Sequence, residues 1–165
     1  MRNKQKGFSL IELLIVVAII LIIAAIAIPN LIRSKMAANE ASAVASIRTI
    51  NTSEVVYSST YNVANVFSAD LKSLGDGGTS TNCAPSAIPS STSACLIDPA
   101  LELAVSSAVT KSGYYFTYGP GVGVYTVLAS PAALNSTGVR YFFSDQTVVI
   151  RANAGAAATA SSTPI

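Results

Sequence analysis

An unbroken apolar tract close to the N-terminus constrains this chain more than any other feature of its sequence. Residues 8–28 contain a single charged side chain, the carboxylate of Glu12, among apolar and small residues. A helix of about 20 residues is about 30 Å long, which matches the hydrocarbon core of a bilayer. A charge at the bilayer centre costs about 2.5–3.5 kcal/mol on insertion scales. The tract is longer than the apolar region of a signal peptide and therefore predicts a transmembrane helix that carries a functional acid.

The charges on either side of the tract predict its orientation. All three charged residues of segment 1–7 are basic, which favours a cytoplasmic N-terminus and places the rest of the chain outside the inner membrane. Arg33 and Lys35 on the far side weaken this bias without reversing it. A protease at the cytoplasmic edge could cut between Gly7 and Phe8, which would remove a short basic leader and leave Phe8 with a free amine.

Residues 7–12 have the sequence Gly-Phe-Ser-Leu-Ile-Glu, which resembles the prepilin processing motif of type IV pilins and type II secretion pseudopilins. Pro29 also falls where the long helix of that family carries its proline. The resemblance implies that a prepilin peptidase, which is also an N-methyltransferase, cuts after Gly7 and methylates the amine of Phe8. It further implies that inner-membrane assembly machinery builds the subunits into a homo-oligomeric helical filament.

Glu12 is the residue to which we assign assembly. In the reading that the resemblance favours, its carboxylate forms a salt bridge with the α-amine of Phe8 on a neighbouring subunit, so that each docking chain neutralises a buried charge. The alternative is a carboxylic acid that stays protonated in lipid or extends to the interface. Processing would depend on Gly7, whereas assembly would depend on Glu12.

The predicted helix continues beyond the membrane. Residues 30–61 contain no glycine or proline, and apolar side chains recur in them at helical spacing. Pro29 removes one intrahelical hydrogen bond and should bend the helix or open it locally. We therefore expect an amphipathic continuation that lies on a globular head. The predicted stripe, which Glu54 interrupts, consists of Ala37, Ala41, Val44, Ile47, Ile50, Tyr57 and Tyr61.

The head is predicted to contain two short helices followed by a sheet. Ser68 and Gly75 bracket the first helix, and the second is predicted from Asp98 to Gly113. From residue 114 the apolar period becomes two, which predicts a four-stranded antiparallel sheet with a glycine-rich turn after its first strand. The predicted strands are 114–118, 124–129, 139–143 and 147–151.

The fold class predicted for the whole chain is α+β, a pilin-like lollipop whose long N-terminal helix packs on the four-stranded sheet. The C-terminal tail contains too few bulky apolar side chains to pack and is expected to be disordered. The predicted segments are a leader (1–7), a transmembrane or filament-core helix (8–28), its amphipathic continuation (29–61), the α+β head (62–151) and the tail (152–165).

The two cysteines, Cys83 and Cys95, lie outside the predicted membrane segment and are predicted to form a disulfide bond. The closed loop of about a dozen residues would contribute about 2–3 kcal/mol of stability through the unfolded state. A redox or metal pair would need closer spacing or further ligands. Many type IVa pilins place their disulfide around the final strands, whereas both cysteines here precede the predicted sheet, so the resemblance does not extend to the surface of the head.

The composition argues against enzymatic and nucleic-acid-binding roles. The chain has no histidine, so it can contain no histidine-based catalytic triad or metal site. Its acids are scattered without the spacing of a calcium loop. The formal net charge is +2 and becomes slightly negative without the basic leader, which predicts no nucleic-acid surface. We therefore predict no enzymatic activity, no cofactor and no metal site.

Three functions are compatible with this pattern. The first is the structural subunit of a type IV pilus, a fimbrium that serves cell adhesion. The second is a pseudopilin of a type II system for protein secretion. The third is a single-pass membrane protein whose outer domain binds a ligand or catalyses a reaction. Cleavage after Gly7 would separate the third from the others, and filament length would separate the first from the second. In both filament readings the subunit crosses the inner membrane once before it joins a cell-surface or periplasmic filament.

Overall fold

The structure, a computed structural model, describes residues 8–61, 67–78, 83–84 and 88–165. Its contacts divide the chain into two units, Met1–Lys35 and Met36–Ile165. One helix, α1 (Leu10–Thr60), contributes residues to both units. The predicted leader 1–7, and Gly7 with it, lies outside the described residues.

The described part of the first unit is the apolar portion of α1. Its side chains are exposed almost throughout. By length and composition the helix is apolar enough to cross a membrane, with a mean hydropathy of 3.3 in its most apolar window. α1 continues through Pro29, whose nitrogen cannot donate a hydrogen bond to the carbonyl of Ala25. The bend predicted at Pro29 stays a prediction.

In the second unit, the remainder of α1 packs on an antiparallel sheet through one buried face. Ile47 and Ile50 of α1 are fully buried, and they share a core with Phe116, Tyr125 and Phe142. Burial of a large apolar side chain contributes about 1.5–3 kcal/mol relative to exposure, so this contact stabilises the unit. The predicted α+β class, with a long helix packed on an antiparallel sheet, is confirmed.

The buried face of α1 differs from the predicted apolar stripe. Ala37 and Ala41 are exposed, whereas Glu40 and Glu54 are buried. The face is shifted because polar side chains of α1 are buried where they form hydrogen bonds with the rest of the unit. The hydrophobic periodicity of the sequence does not predict such bonds. The other buried polar residues of this face are Ser46, Asn51 and Ser53.

The first short helix, α2 (Leu71–Leu74), begins at a different cap from the one predicted. Asp70 is the N-cap, and its carboxylate accepts a hydrogen bond from the N–H of Ser73 at 2.8 Å. Ser68, the predicted cap, instead donates hydrogen bonds to a buried carboxylate of α1. Gly75 ends the helix as predicted.

The second short helix, α3 (Pro99–Glu102), begins at its predicted N-cap, Asp98, but it is much shorter than predicted. Val105, which lies within the predicted helix but beyond the observed one, is about half exposed. The chain leaves the helix here because the carbonyl of Ala104 accepts a hydrogen bond from the backbone N–H of Phe116 at 2.7 Å. This bond places the segment after α3 along the edge of the sheet.

Among the described residues, five antiparallel strands form the sheet in the order β1-β2-β3-β4-β5, where four were predicted. The two-residue turn between the first two strands, Val122 and Gly123, is shorter than predicted. Gly123, the second central residue of the turn, has a φ of +71°, which glycine adopts without strain and which a type II turn requires at that position. The strands are β1 (Tyr114–Gly121), β2 (Val124–Pro131), β3 (Arg140–Asp145), β4 (Arg151–Ala154) and β5 (Thr163–Pro164).

The fourth strand begins later than predicted, and the C-terminal tail joins the sheet. The carboxylate of Asp145 accepts hydrogen bonds from the N–H and the hydroxyl of Thr147 at 2.9 and 2.5 Å. This turn keeps residues 147–150 out of the sheet. Residues 152–154 belong to β4, and β5 pairs with its first two residues. The prediction of a disordered tail over residues 152–165 is therefore wrong for both strands.

Both edge strands of the sheet carry a proline whose nitrogen points outward. The N–H of Phe116 in β1 bonds on the side away from β2, and the alternation of a strand gives the nitrogen of Pro120 the same direction. After β5, Ile165 donates to the carbonyl of Ile150, so the nitrogen of Pro164 faces away from β4. Neither proline can donate a hydrogen bond to a further strand.

A disulfide bond joins Cys83 and Cys95, whose Cα atoms lie 5.6 Å apart. The N–H of Cys95 donates to the carbonyl of Gly75 at 2.9 Å. The hydroxyl of Tyr57 in α1 donates to the carbonyl of Ser91, inside the closed loop, at 2.7 Å. The loop is therefore held both by the covalent bond and by α1.

Candidate assembly site

Glu12 lies in the first turn of α1 and caps the N-terminus of its own helix. Its Oε2 accepts a hydrogen bond from the backbone N–H of Ser9 at 3.0 Å, and the carbonyl of Ser9 accepts the first helical bond from Leu13 at 3.3 Å. This is the arrangement of one half of a capping box, in which a glutamate at the third helical position serves an otherwise unpaired donor. The positive end of the helix dipole stabilises a carboxylate at the same place.

Phe8 lies next to this capped turn and is largely exposed. The carboxylate of Glu12 accepts a hydrogen bond from the backbone nitrogen of Ser9, and Phe8 is the residue directly before Ser9. Phe8 and Glu12, two of the residues that the sequence assigns to processing and assembly, thus lie at the same end of α1. Gly7, the third, lies outside the described residues.

The surface of α1 beyond this turn is apolar and uncovered within the first unit. Large side chains recur at spacings of three and four residues, so they form a continuous stripe. An exposed apolar surface of this extent indicates a site for a membrane or for other protein chains. Its most N-terminal members are Leu10, Leu13, Leu14, Val17, Ala18 and Leu21.

Three buried glutamates in the described part of the second unit form separate hydrogen-bonded sites, of which Glu40 is the first. Glu40 accepts hydrogen bonds from the backbone N–H groups of Val139 and Arg140 at 2.9 and 3.1 Å, and from Nε of Arg140 at 2.7 Å. Burial by itself would raise the pKa of Glu40, but these donors and the guanidinium charge outweigh it and lower the pKa. The site fixes the start of β3 against α1.

Glu54, the second, is fully buried near the C-terminal end of α1. Its carboxylate accepts hydrogen bonds from the N–H and hydroxyl of Ser68 at 3.0 and 2.5 Å and from the hydroxyl of Tyr118 at 2.6 Å. Burial, followed by the bond to Glu54, raises the pKa of Tyr118, which keeps that hydroxyl a donor. The site ties α1 to β1 and to the segment before α2.

Glu102, the third, is fully buried at the end of α3. Its Oε2 accepts a hydrogen bond from the N–H of Asp76 at 3.0 Å, whereas its Oε1 has no hydrogen-bond partner in the part of the chain that the structure describes. Burial raises the pKa of Glu102, and the neighbouring carboxyl group of Asp76 raises it further. The site holds the turn after α2 against α3.

These carboxylates serve packing, and the structure gives them no common chemistry. Each one contacts its own set of donors, and the three sets do not overlap. Among the described residues no three metal-ligating side chains lie close enough together to hold a metal ion. The apolar helix with its terminal carboxylate is therefore the candidate functional site.

Comparisons with known proteins identify the family. Residues 2–28 match a family model described as the prokaryotic N-terminal methylation motif. The chain is also 40% identical over 98 residues to the type IV wide pilus major component PilA4 of Thermus thermophilus, and the match covers 59% of this chain and 74% of that protein. The chain belongs to the type IV pilin family. No solved structure gives a significant match to this pilin.

Membership of the family confirms the predicted resemblance, and it makes this pilin a structural subunit and not an enzyme. The matched methylation motif contains Gly7, Phe8 and Glu12. The roles of these three residues, and the bend at Pro29, stay predictions.

The sequence analysis missed the buried glutamates in the second unit of this pilin. The burial of Glu54 could have been predicted, since Glu54 interrupts an apolar stripe and a charged residue in that position needs buried partners. The sequence offered no such signal for Glu40 and Glu102, because their donors are backbone groups about 100 and 26 residues away along the chain. The capping role of Glu12 could have been found from the spacing of Ser9 and Glu12, which is that of a capping box.

Proposed function

We propose that this pilin is a structural subunit of a type IV pilus, cut after Gly7, N-methylated at Phe8 and polymerised through the apolar part of α1. The observation that carries the proposal is an exposed apolar helical tract whose N-terminus is capped by the carboxylate of Glu12, within the matched methylation motif. The relative PilA4 is by its description the major component of a type IV wide pilus, which supports a pilus over the pseudopilus of a secretion system.

In this proposal, the carboxylate of Glu12 gains a second partner when a subunit docks. In the single chain its carboxylate accepts a hydrogen bond from the N–H of Ser9, which leaves capacity for further donors. The α-amine of Phe8 from a neighbouring subunit supplies them and neutralises the charge as both enter the dry filament core. Removal of one partner from a buried ion pair costs about 3–5 kcal/mol, so the pair sets the register of docking.

The proposed life cycle has two locations. The subunit first crosses the inner membrane once, with its N-terminus in the cytoplasm, where the prepilin peptidase and N-methyltransferase act on Gly7 and Phe8. The assembly machinery of the inner membrane then transfers it to a homo-oligomeric filament. The length and apolar composition of α1 support the membrane stage.

Mass spectrometry of the intact protein tests the processing step. The expected mature chain begins at N-methylated Phe8. Replacement of Gly7 by leucine should leave the leader attached, because the processing motif places a small residue before the cut. A chain that still begins at Met1, or one cut near Ala27, would contradict the prepilin proposal.

Glu12→Ala and Glu12→Gln test the assembly step. Both variants should be processed and inserted into the membrane, since neither change touches the cleavage site, but electron microscopy should show few or no filaments. Ser9→Ala is the matched control, because it changes a side chain of the same turn and keeps the backbone N–H that Glu12 binds. Normal filament yield from Glu12→Ala would show that the carboxylate does not determine assembly.

A further inference from the structure

The apolar surface of α1 extends further than the tract that the sequence first suggests. The helix continues without a break beyond residue 28, and Leu31 and Ile32 in the next turn are exposed apolar side chains. The first charged residue after Glu12 is Arg33. The uncharged helical segment between these two charges is therefore residues 13–32.

The length of this segment matches a bilayer. Twenty helical residues rise about 30 Å, which is the thickness of the hydrocarbon core. A span over residues 13–32 leaves both flanking charges at the two hydrocarbon boundaries. A span over residues 8–28 instead draws Glu12 about four residues, or about 6 Å, into the hydrocarbon and leaves Leu31 and Ile32 in water.

The basic residues that follow the segment lack partners in the described chain. Arg33 and Lys35 are exposed, and the ion pairs of the described residues involve Lys111 and Arg140 instead. Long basic side chains at the end of a membrane helix lie along it and direct their charge to the lipid headgroups. Lipid phosphates are the anions available at that depth.

We propose that the unassembled subunit spans the membrane with residues 13–32, that Arg33 and Lys35 bind lipid phosphates of the periplasmic leaflet, and that Glu12 lies at the opposite hydrocarbon boundary. This rests on the membrane stage of the proposed function. The carboxylate then remains hydrated until assembly begins. Outward movement of the subunit releases the basic residues from the phosphates and draws Glu12 into the hydrocarbon, where a neighbouring amine is needed.

Site-directed spin labelling of the full chain in vesicles of phosphatidylethanolamine and phosphatidylglycerol tests the position of the span. The native cysteines are joined in a disulfide and take no label, so a single new cysteine reports alone. The relative accessibility of the label to oxygen and to a nickel chelate measures its depth. Ala18→Cys and Ala27→Cys should be equally deep, with Ile22→Cys deeper than both.

A depth maximum at Ala18, with Ala27 close to the surface, would overturn the inference and leave the proposed function intact. No maximum at any of the three positions would overturn the inference and the membrane stage together. The two failures are therefore distinguishable in one data set.

Solid-state NMR tests the phosphate contacts in the same vesicles, with lipid as the sole source of phosphorus. Lipid ³¹P should dephase the guanidinium carbon signal of the wild-type chain, and Arg33→Gln should remove a large part of that effect. Arg48→Gln is the matched control, since Arg48 lies on the same helix about 22 Å further along and should leave the effect unchanged. Equal dephasing in Arg33→Gln and wild type would overturn the phosphate contact.

Discussion

The pKa values of two buried glutamates of the second unit, Glu40 and Glu102, are shifted in opposite directions because the groups around them differ. Glu40 meets a guanidinium and two backbone N–H groups, which favour its charged form. Glu102 meets one backbone N–H and a second carboxyl group, that of Asp76, which disfavours its charged form. The pKa of Glu40 is lowered and that of Glu102 is raised relative to the ordinary value of 4.5.

We therefore expect Glu40→Gln and Glu102→Gln to change the pH dependence of stability with opposite signs. The contribution of Glu102 is present below its ordinary pKa and is lost as pH rises through the raised folded value. The advantage of wild type over Glu102→Gln should therefore shrink as pH rises. The contribution of Glu40 is lost as pH falls, so the advantage over Glu40→Gln should grow as pH rises.

Denaturant unfolding of the three proteins between about pH 3 and pH 8 measures both slopes. Each variant serves as the control for the other, because both replace a buried glutamate of the same unit. Parallel pH profiles for all three proteins would contradict the assigned shifts.

Among the elements, β5 shows how a short strand can order a weakly apolar tail. Its pairing with the first two residues of β4 is supported by two further bonds. The N–H of Ile165 donates to the carbonyl of Ile150, and Nη1 of Arg151 donates to the carbonyl of Ser162, at 3.0 and 3.1 Å. Hydrogen bonds to backbone carbonyls need no bulky apolar side chains in the tail, which explains why its composition predicted disorder.

Deletion of residues 162–165 should destabilise the second unit by about 1–3 kcal/mol, since each lost hydrogen bond contributes about 1 kcal/mol. Denaturant unfolding of the full chain in detergent measures the loss. Ser161→Ala is the control, because it changes an exposed tail residue and keeps β5, and it should stay within about 0.5 kcal/mol of wild type. If the deletion variant were as stable as wild type, β5 would contribute nothing to the fold and the prediction of a disordered tail would stand.

At the scale of the whole molecule, the surface open to association lies on α1 and not on the sheet. Apolar side chains from Phe8 to Ile32 are exposed almost throughout. The edges of the sheet, in contrast, present the nitrogens of Pro120 and Pro164, which cannot extend the sheet into another chain. This distribution favours assembly through helices.

The disulfide between Cys83 and Cys95 should stabilise the fold by about 3 kcal/mol, because it closes a loop of about a dozen residues in the unfolded chain. The double variant Cys83→Ser and Cys95→Ser should lower the free energy of unfolding by that amount, and wild type in reductant should match it. Alkylation before and after reduction checks the bond. Two free thiols in freshly isolated filaments would contradict both the bond and the placement of the head outside the cytoplasm.

The sequence alone determined the features that depend on neighbours along the chain. The apolar helix, the family motif and the N-cap at Asp98 are local patterns, because helix formation, membrane partition and capping act over one or a few turns. The alternation of apolar residues from residue 114 likewise predicted an antiparallel sheet. The candidate site at Glu12 was predictable for the same reason, since its whole motif lies within six residues.

Tertiary structure alone decided the features that depend on distant partners. α3 ends early because Ala104 bonds to Phe116, and β4 begins late because the turn at Asp145 keeps the residues before Arg151 out of the sheet. The buried face of α1 includes Glu40 because its carboxylate accepts hydrogen bonds from Val139 and Arg140, which lie about 100 residues further along the chain. Hydrogen bonds over such separations exist only once the chain is folded, and no local periodicity in the sequence encodes them.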